Sequence, residues 1–295
     1  MQPAALSDTL ACIAEMTGII LDPQSWMSVR GGDINQAARL RDLAGRSWFI
    51  KLNIPNRVDM FAAEREGLKE LATAKHIRVP QVVGHGSSEQ YAWLILEWLD
   101  LTDAPAAADH ELGRALAGMH RMTAEHFGWH RDNYIGATAQ PNGWLKSWPA
   151  FFREQRLGHQ LALAQANGAP ASLLDSGHQL MARLDDWYSG YDPVPSLLHG
   201  DLWGGNRGVL ADGSPALFDP AVYYGDRETD IAMTRLFGGF SADFYTAYDK
   251  AWPLDEGATD RQELYNIYHV LNHFNLFGDS YLAQAEHMLL RLLSA

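Results

Sequence analysis

The densest chemistry in the chain lies in the run from Leu198 through His199, Gly200, Asp201, Leu202, Trp203, Gly204 and Gly205 to Asn206, and in Phe218-Asp219-Pro220 beyond it. Asp201 and Asn206 are five apart, and Asp219 lies eighteen beyond Asp201. Three oxygen donors at the ends of short strands and in a glycine-rich loop suit a hard cation such as Mg²⁺. That ion is usually held by one or two protein groups and completes its shell with water and phosphate oxygens. A carboxylate at 201 could accept a hydroxyl proton while Asn206 and Asp219 hold metal, the division of labour that phosphoryl transfer requires. Either turn alone is ordinary loop chemistry; Asp-x4-Asn followed by the second Asp points to function.

Lys51 is the second signal. The chain has five lysines, at 51, 69, 75, 146 and 250, and only Lys51 ends an apolar β-like run, Trp48-Phe49-Ile50. An ammonium there is costly unless it meets an anion. Thirteen residues on, Glu64 sits in a helical pattern and could hold the ammonium ready for phosphates; Glu66, two residues along, faces elsewhere. Upstream, Gly31-Gly32-Asp33-Ile34 lies between two β-like segments, where paired glycines let backbone N–H groups approach a phosphate. Other chemistries fail. No G-x-x-x-x-G-K-[ST] loop, dinucleotide fingerprint or G-x-S-x-G element exists. His269 and His273 have helical metal spacing, but Val270 stands where a zincin carries glutamate, so they read as the polar face of a packed helix.

The elements that must position these groups change character along the chain. A first helix is expected near 4–17, then strands over 26–54 with a turn at Asp42-Leu43-Ala44-Gly45, then a helix around Phe61–Leu71 ended by Pro80. Gln81–Gly84 and Tyr91–Leu96 read as two strands joined by a turn over His85-Gly86-Ser87-Ser88. Beyond residue 98 helices are expected near 109–124, 147–166, 171–189, 227–237, 241–251, 260–276 and 279–293. They are interrupted at 196–220 by a hairpin around Asp212-Gly213. The chain thus divides into a small strand-rich lobe, 1–97, and a larger mainly helical lobe, 98–295, an α+β arrangement. With 295 residues, 47 % hydrophobic content and 11 % aromatics the chain is no disordered polymer. A net charge of -13 argues against nucleic acid or an anionic membrane as main partner. One cysteine, Cys12, excludes an intramolecular disulfide, and neither a basic leader nor a bilayer-length apolar run is evident, so a cytoplasmic location is expected.

The ordered set of glycine-rich turn, β-strand Lys51, helix Glu64, strand ending at Glu97-Trp98-Leu99, His199-Gly200-Asp201, Asn206 and Asp219 resembles the bilobal protein-kinase-like fold of aminoglycoside and choline phosphotransferases. The strings GGDINQA (31–37), HGDLWGGN (199–206), FDPAVYYGDRETDIAMTRLFGGF (218–240) and LNHFNLFG (271–278) resemble more closely the fructosamine kinase (ketosamine-3-kinase) family, from about residue 15 to 290. The resemblance implies an ATP- and Mg²⁺-dependent kinase that phosphorylates the sugar 3-hydroxyl of ketosamines, free or protein-linked, and so promotes deglycation. It implies Asp201 as catalytic base, Asn206 and Asp219 as metal ligands, Lys51 at the α/β-phosphates with Glu64 orienting it, Gly31 and Gly32 over the phosphates, and backbone groups of Glu97 and Leu99 at adenine. Asp226, Asp230 and His199 would brace the loops. Position alone suggests Trp203, Tyr223, Tyr224 and His273 for the acceptor side. Two departures stand out: Gly204 replaces the family's usual serine, and the glycine-rich loop lacks the cysteine through which some members form a redox-sensitive dimer. A kinase for another hydroxyl (aminoglycoside, choline, methylthioribose) and a non-catalytic nucleotide-binding protein are the alternatives; keeping Lys51, Asp201, Asn206 and Asp219 together disfavours the second.

Overall fold

Strand alternation decides which side chains face the future site. In the computed structural model, which describes residues 3–29, 34–102 and 108–294, helix α1 (Pro3–Thr17) precedes strands β1 (Leu21–Ser28), β2 (Gln36–Asp42) and β3 (Ser47–Asn53). Trp48, Ile50 and Leu52 of β3 bury on one sheet face in a small core with Leu10 and Ile13 of α1. Phe49 and Lys51, one residue out of phase, face the other way and line a cleft. Helix α2 (Val58–Thr73) starts after a 3-10 turn at Pro55–Arg57 and buries Met60, Phe61, Leu68 and Leu71. Strands β4 (Val82–Ser87) and β5 (Ala92–Glu97) complete an antiparallel sheet of order β1-β2-β3-β5-β4. β5 is buried on both faces: Trp93 and Ile95 join the α1 core, while Leu94 and Leu96 join the main core with α2.

The expected turn at His85–Ser88 is corrected, because β4 runs through it and the chain reverses at Ser88–Tyr91, where the Ser88 N–H donates to the Tyr91 carbonyl (2.8 Å). The glycines that suggested a turn serve packing. A Cβ on Gly86 would stand 2.8 Å from the Trp93 indole.

The rest of the chain is mainly helical, as expected, with shorter helices. In order come α3 (Asp109–His120), β6 (Asn133–Ile135), β7 (Thr138–Gln140), α4 (Trp148–Phe151) and, beyond a π-helical stretch at Phe152–Gly158, α5 (His159–Ala166). Then follow α6 (Ala171–Ala182), β8 (Ser196–Leu198), β9 (Arg207–Val209), β10 (Pro215–Leu217), β11 (Tyr223–Gly225), α7 (Glu228–Leu236), α8 (Ala242–Ala251), α9 (Ala258–Phe277) and α10 (Leu282–Ser294). The Asp212-Gly213 hairpin joins β9 to β10, with Gly213 at φ 85°. β8 pairs instead with β11, so the segment between them, 199–222, is a closed loop carrying Asp201, Asn206 and Asp219. The helices expected at 109–124 and 171–189 end at His120 and Ala182, the second followed by a 3-10 turn over Leu184–Tyr188. β6, β7 and β11 were not expected; three-residue strands hold too little periodicity to show. No helix among the described residues is long and apolar enough to cross a membrane.

Candidate active site

A cleft of about 730 Å³ lies between the sheet and the helical part, lined from above by Phe49, Lys51 and Glu64 and from below by Asp201, Asn206 and Asp219. The backbone of the lower wall is fixed first. Asp230, on the first turn of α7, accepts the N–H groups of His199 (2.7 Å) and Gly200 (2.9 Å). Gly200 sits at φ 82°, and a Cβ there would stand 2.0 Å from the Ala221 carbonyl, so only glycine fits. The His199 Nε2–H donates to the Phe218 carbonyl at 3.0 Å, which leaves Nδ1 to accept the Asp201 N–H at 3.3 Å. His199 therefore clips the Asp201 loop to the Asp219 loop. Behind Asp230, Arg227 donates to the Tyr248 hydroxyl (3.1 Å), the hydroxyl to His120 Nδ1 (2.8 Å), and His120 Nε2–H to Asp230 (3.2 Å). Burial works to raise the Asp230 carboxyl, but the hydrogen bonds from His120 and from the Gly200 N–H outweigh it and keep the group below its ordinary range. Asp226 accepts from Tyr265 (2.5 Å) and Tyr191 (3.0 Å) and lies outside the cleft.

The side chains follow. Lys51 Nζ donates to Glu64 Oε1 at 2.7 Å and to Asp219 Oδ1 at 2.6 Å, bridging β3, α2 and the lower loop. Burial works to lower its pKa, but the charges of Asp219 and Glu64 prevail and hold it above the ordinary lysine value. Glu66 is engaged elsewhere, with His130 (2.9 Å) and Arg131 (3.0 Å). The Asn206 amide donates to the Asp201 carbonyl (2.9 Å) and carboxylate (3.2 Å), which leaves its Oδ1 without a hydrogen bond among the described residues. Asp219 sits at φ 57°, in the left-handed region and just before Pro220, a strained conformation for a residue other than glycine. Asp201 is pushed up to about 7, first by burial and then by the charge of Asp219, against the hydrogen bond from Asn206.

These oxygens fit a divalent cation completed by phosphates: the Asp201 and Asp219 carboxylates and the Asn206 amide oxygen line one cleft. No group of three His, Cys, Asp or Glu side chains capable of holding a metal occurs among the described residues, so a cation here needs nucleotide oxygens as well.

Among the residues lining the cleft, Val29, Ala37, Leu96, Leu101 and Phe218 supply an apolar slot. Glu97 turns its carboxylate away, to Arg78 and to the Gln81 N–H (3.1 Å), and its own N–H donates to the Gln81 carbonyl (2.9 Å). The Leu99 N–H makes no hydrogen bond among the described residues. Gly31 and Gly32 lie outside the described residues; just beyond them, Asn53 at the end of β3 donates to the Ile34 carbonyl (3.1 Å) and the Asn35 side chain (2.7 Å).

Trp203, Phe237, His273, Phe277 and Tyr281 form an aromatic wall of the cleft, each ring in contact with another. Trp203 and His273 thus face the cleft. Tyr223 and Tyr224 do not, and their placement on the acceptor side is corrected: Tyr223 is buried beneath the Arg156 guanidinium (4.0 Å to the ring centre), and Tyr224 donates to Glu70 on α2 (2.6 Å). His269 is a core residue, not a polar face. Gly204 has a visible packing consequence. A Cβ there would stand 3.1 Å from the Gly238 carbonyl, so its absence lets the 238–239 turn close against the Asp201 loop. Sequence reasoning missed the amides Asn133, Gln140 and Asn142 and the buried Arg156 behind the site; no spacing or periodicity links positions 133, 140, 142 and 156.

The family model described as fructosamine kinase matches residues 6–295. A Synechocystis protein named as a probable ketoamine kinase is 44% identical over 292 residues, covering 97% of this chain and 96% of that protein. The chloroplastic protein-ribulosamine 3-kinase of Arabidopsis thaliana is 38% identical over 274 residues, covering 91% of this chain and 83% of that one. The crystal structure of a candidate fructosamine-3-kinase from Haemophilus somnus superposes with a TM-score of 0.87 at 30% identity, covering 98% of this chain and 97% of that one. The fold is protein-kinase-like and α+β.

Proposed function

The chain belongs to the fructosamine kinase family, and from that premise we propose that it is an ATP-dependent phosphotransferase acting on the sugar 3-hydroxyl of ketosamines. The observation that carries the proposal is the meeting of Lys51, Glu64, Asp201, Asn206 and Asp219 in one cleft of a chain that matches the family along nearly its whole length. We assign the nucleotide-binding lobe to 1–97 and the acceptor lobe to 98–295.

In this reading adenine enters the apolar slot, with the Glu97 carbonyl and Leu99 N–H as its backbone partners, and Gly31 and Gly32 cover the phosphates. Lys51, held by Glu64, contacts the α/β-phosphates. Asn206 and Asp219 would hold Mg²⁺, which supplies charge neutralisation at the transferring phosphoryl group. Asp201 accepts the proton of the 3-hydroxyl as that oxygen attacks the γ-phosphorus and the bond to the β,γ-bridging oxygen breaks to release ADP, and the Asn206 amide keeps the Asp201 carboxylate oriented. The aromatic wall of Trp203 and Phe237 gives the apolar stem of a lysine-linked sugar a surface, and Trp203 is 37 % exposed, so an adduct on a protein surface can reach it. The other small-molecule kinases of this fold are less supported, because the full-length relatives are named for ketoamines and ribulosamines.

The test is ATP turnover with ribulose- and fructose-lysine adducts, an aminoglycoside and choline. Phosphorylation of the lysine adducts alone is expected; turnover of an aminoglycoside with none of either adduct would sink the proposal.

A further inference from the structure

Arg156 is fully buried, yet among the described residues no carboxylate lies within ion-pair distance of it. Its charge is met by aromatic faces, Tyr223 at 4.0 Å and Phe151 at 4.6 Å, and by acceptors: Nη1 donates to the Pro141 carbonyl (2.6 Å) and Nη2 to Asn142 Oδ1 (2.7 Å). A buried cation without a counter-ion is costly, so its retention calls for a reason. It also lies on the π-helical stretch Phe152–Gly158, a rare geometry that often marks functional positions.

The reason lies in what a guanidinium can do: it donates and never accepts. Facing Arg156, Asn142 presents its oxygen, and its Nδ2 points the other way, donating to Asn133 Oδ1 at 2.8 Å and to the Arg131 carbonyl at 3.2 Å. Asn133 is thereby forced to aim its own Nδ2 at the Val222 carbonyl, 2.7 Å away. A second arm has the same sense. The Tyr268 hydroxyl donates to Gln140 Oε1 (2.6 Å), and Gln140 Nε2 donates to Asn133 Oδ1 (2.8 Å) and to the Ala221 carbonyl (3.1 Å). Three amides that could each be flipped are locked in one orientation. Their last donors hold two successive carbonyls of the segment that follows Asp219 and Pro220. Asp219 itself is strained, and strain persists only where the surroundings fix it.

We propose that Arg156 is a positioning residue for phosphoryl transfer: through Asn142 and Asn133 it sets the polarity of a buried amide relay that grips Ala221 and Val222 and so keeps Asp219 turned toward the cation and nucleotide. The inference rests on the kinase reading above. The last donors of the relay act on the chain that follows Asp219, and none of them bonds Trp203, Phe237 or His273.

The test is ADP affinity by titration calorimetry on the full chain, with Mg²⁺ and with EDTA, for the wild type, Asn142→Asp and Tyr268→Phe. Asn142→Asp keeps an acceptor for Arg156 and gains an ion pair with it, but can no longer donate to Asn133. The expected result is Mg·ADP affinity lowered about ten- to a hundredfold as for other groups that orient metal ligands, out of proportion to any change in Tm, with unchanged affinity for metal-free ADP and unchanged KM for the ketosamine. Tyr268→Phe frees Gln140 from the other end and should weaken Mg·ADP in the same selective way. Wild-type Mg·ADP affinity in both variants would overturn the proposal. So would a loss equal with and without Mg²⁺, or one that tracks a fall in Tm, because the network would then be packing alone. Should Asn142→Asp not fold, Tyr268→Phe decides by the same criteria. A wild type whose ADP binding ignores Mg²⁺ would instead overturn the kinase reading and this role with it.

Discussion

Asp201 has no cation within ion-pair distance among the described residues, whereas Asp219 is paired with Lys51 at 2.6 Å. That asymmetry separates the roles proposed for the two carboxylates. Asp201→Asn keeps the side-chain shape and removes the proton acceptor, so kcat is expected to fall by about 10²–10⁴ with nucleotide affinity largely kept; steady-state kinetics with nucleotide titration check both. Asp219→Ala should in addition weaken Mg·ADP, and unchanged Mg²⁺ dependence in that variant would remove it from the metal site. At this scale the sequence was informative where backbone geometry dictates direction. Strand alternation turns Lys51 to the face opposite Trp48 and Ile50, and helix periodicity separates Glu64 from Glu66. It misled at Tyr223 and Tyr224, neighbours on a strand that face opposite sides: one is committed to the core beneath Arg156, the other to Glu70 on α2. The amide relay was illegible, since hydrogen-bond polarity among four residues scattered over 133–156 leaves no trace in spacing.

Between elements, α3 and α8 pack closely enough that their backbones touch. A Cβ on Gly113 of α3 would stand 2.2 Å from the Phe244 carbonyl oxygen and 3.0 Å from the Tyr248 nitrogen. Backbone atoms in a helix cannot step aside, so Gly113→Ala is expected to cost at least about 2 kcal/mol, at the upper part of the range for overpacked cores. The same change at Gly177 meets only the end of the Leu161 side chain, at 2.5 Å, and should cost about 1 kcal/mol or less, because that side chain can rotate. Urea unfolding of the two variants side by side measures the contrast; equal costs would refute the argument. The α3–α8 contact bears on function because α3 ends at His120 and α8 carries Tyr248, the two groups behind Asp230. A shifted α3 should therefore lower kcat as well. Element order, strands first and mainly helices after, was readable from hydrophobic periodicity and turn residues. The pairing of β8 with β11, which closes the site loop, was not, because it joins two three-residue strands 25 positions apart.

For the molecule as a whole, a net charge of -13 sits awkwardly with an anionic nucleotide until the local field is considered. In the function proposed, Lys51 and the Mg²⁺ that Asn206 and Asp219 would hold supply positive charge inside the cleft. The response of stability to acid is likewise a contest among buried groups. His269 is pushed down to about 3, first by burial and then by the neighbouring charge of His273, and burial also lowers His120 and His199. Each stays neutral in the folded chain when it would protonate in the unfolded one, below about pH 6.5. As pH falls through that value the unfolded state binds the extra proton, so each such histidine withdraws stability at about 1.4 kcal/mol per pH unit, down to its folded pKa. Asp201 and Asp226 act in the opposite sense. Both are pushed up to about 7 by burial, helped by Asp219 at the first and Glu228 at the second, so the folded state takes up their protons between about pH 7 and pH 4 and gains stability there. The net slope is a small difference between these sets, and a difference between variants isolates one group. His269→Leu removes one histidine from the core, so between pH 4 and pH 6 its unfolding free energy should fall with acid less steeply than the wild type's, by about 1.4 kcal/mol per pH unit. Urea unfolding of both proteins across that range measures the difference, and parallel pH curves would show that His269 titrates in the folded chain as it does in water.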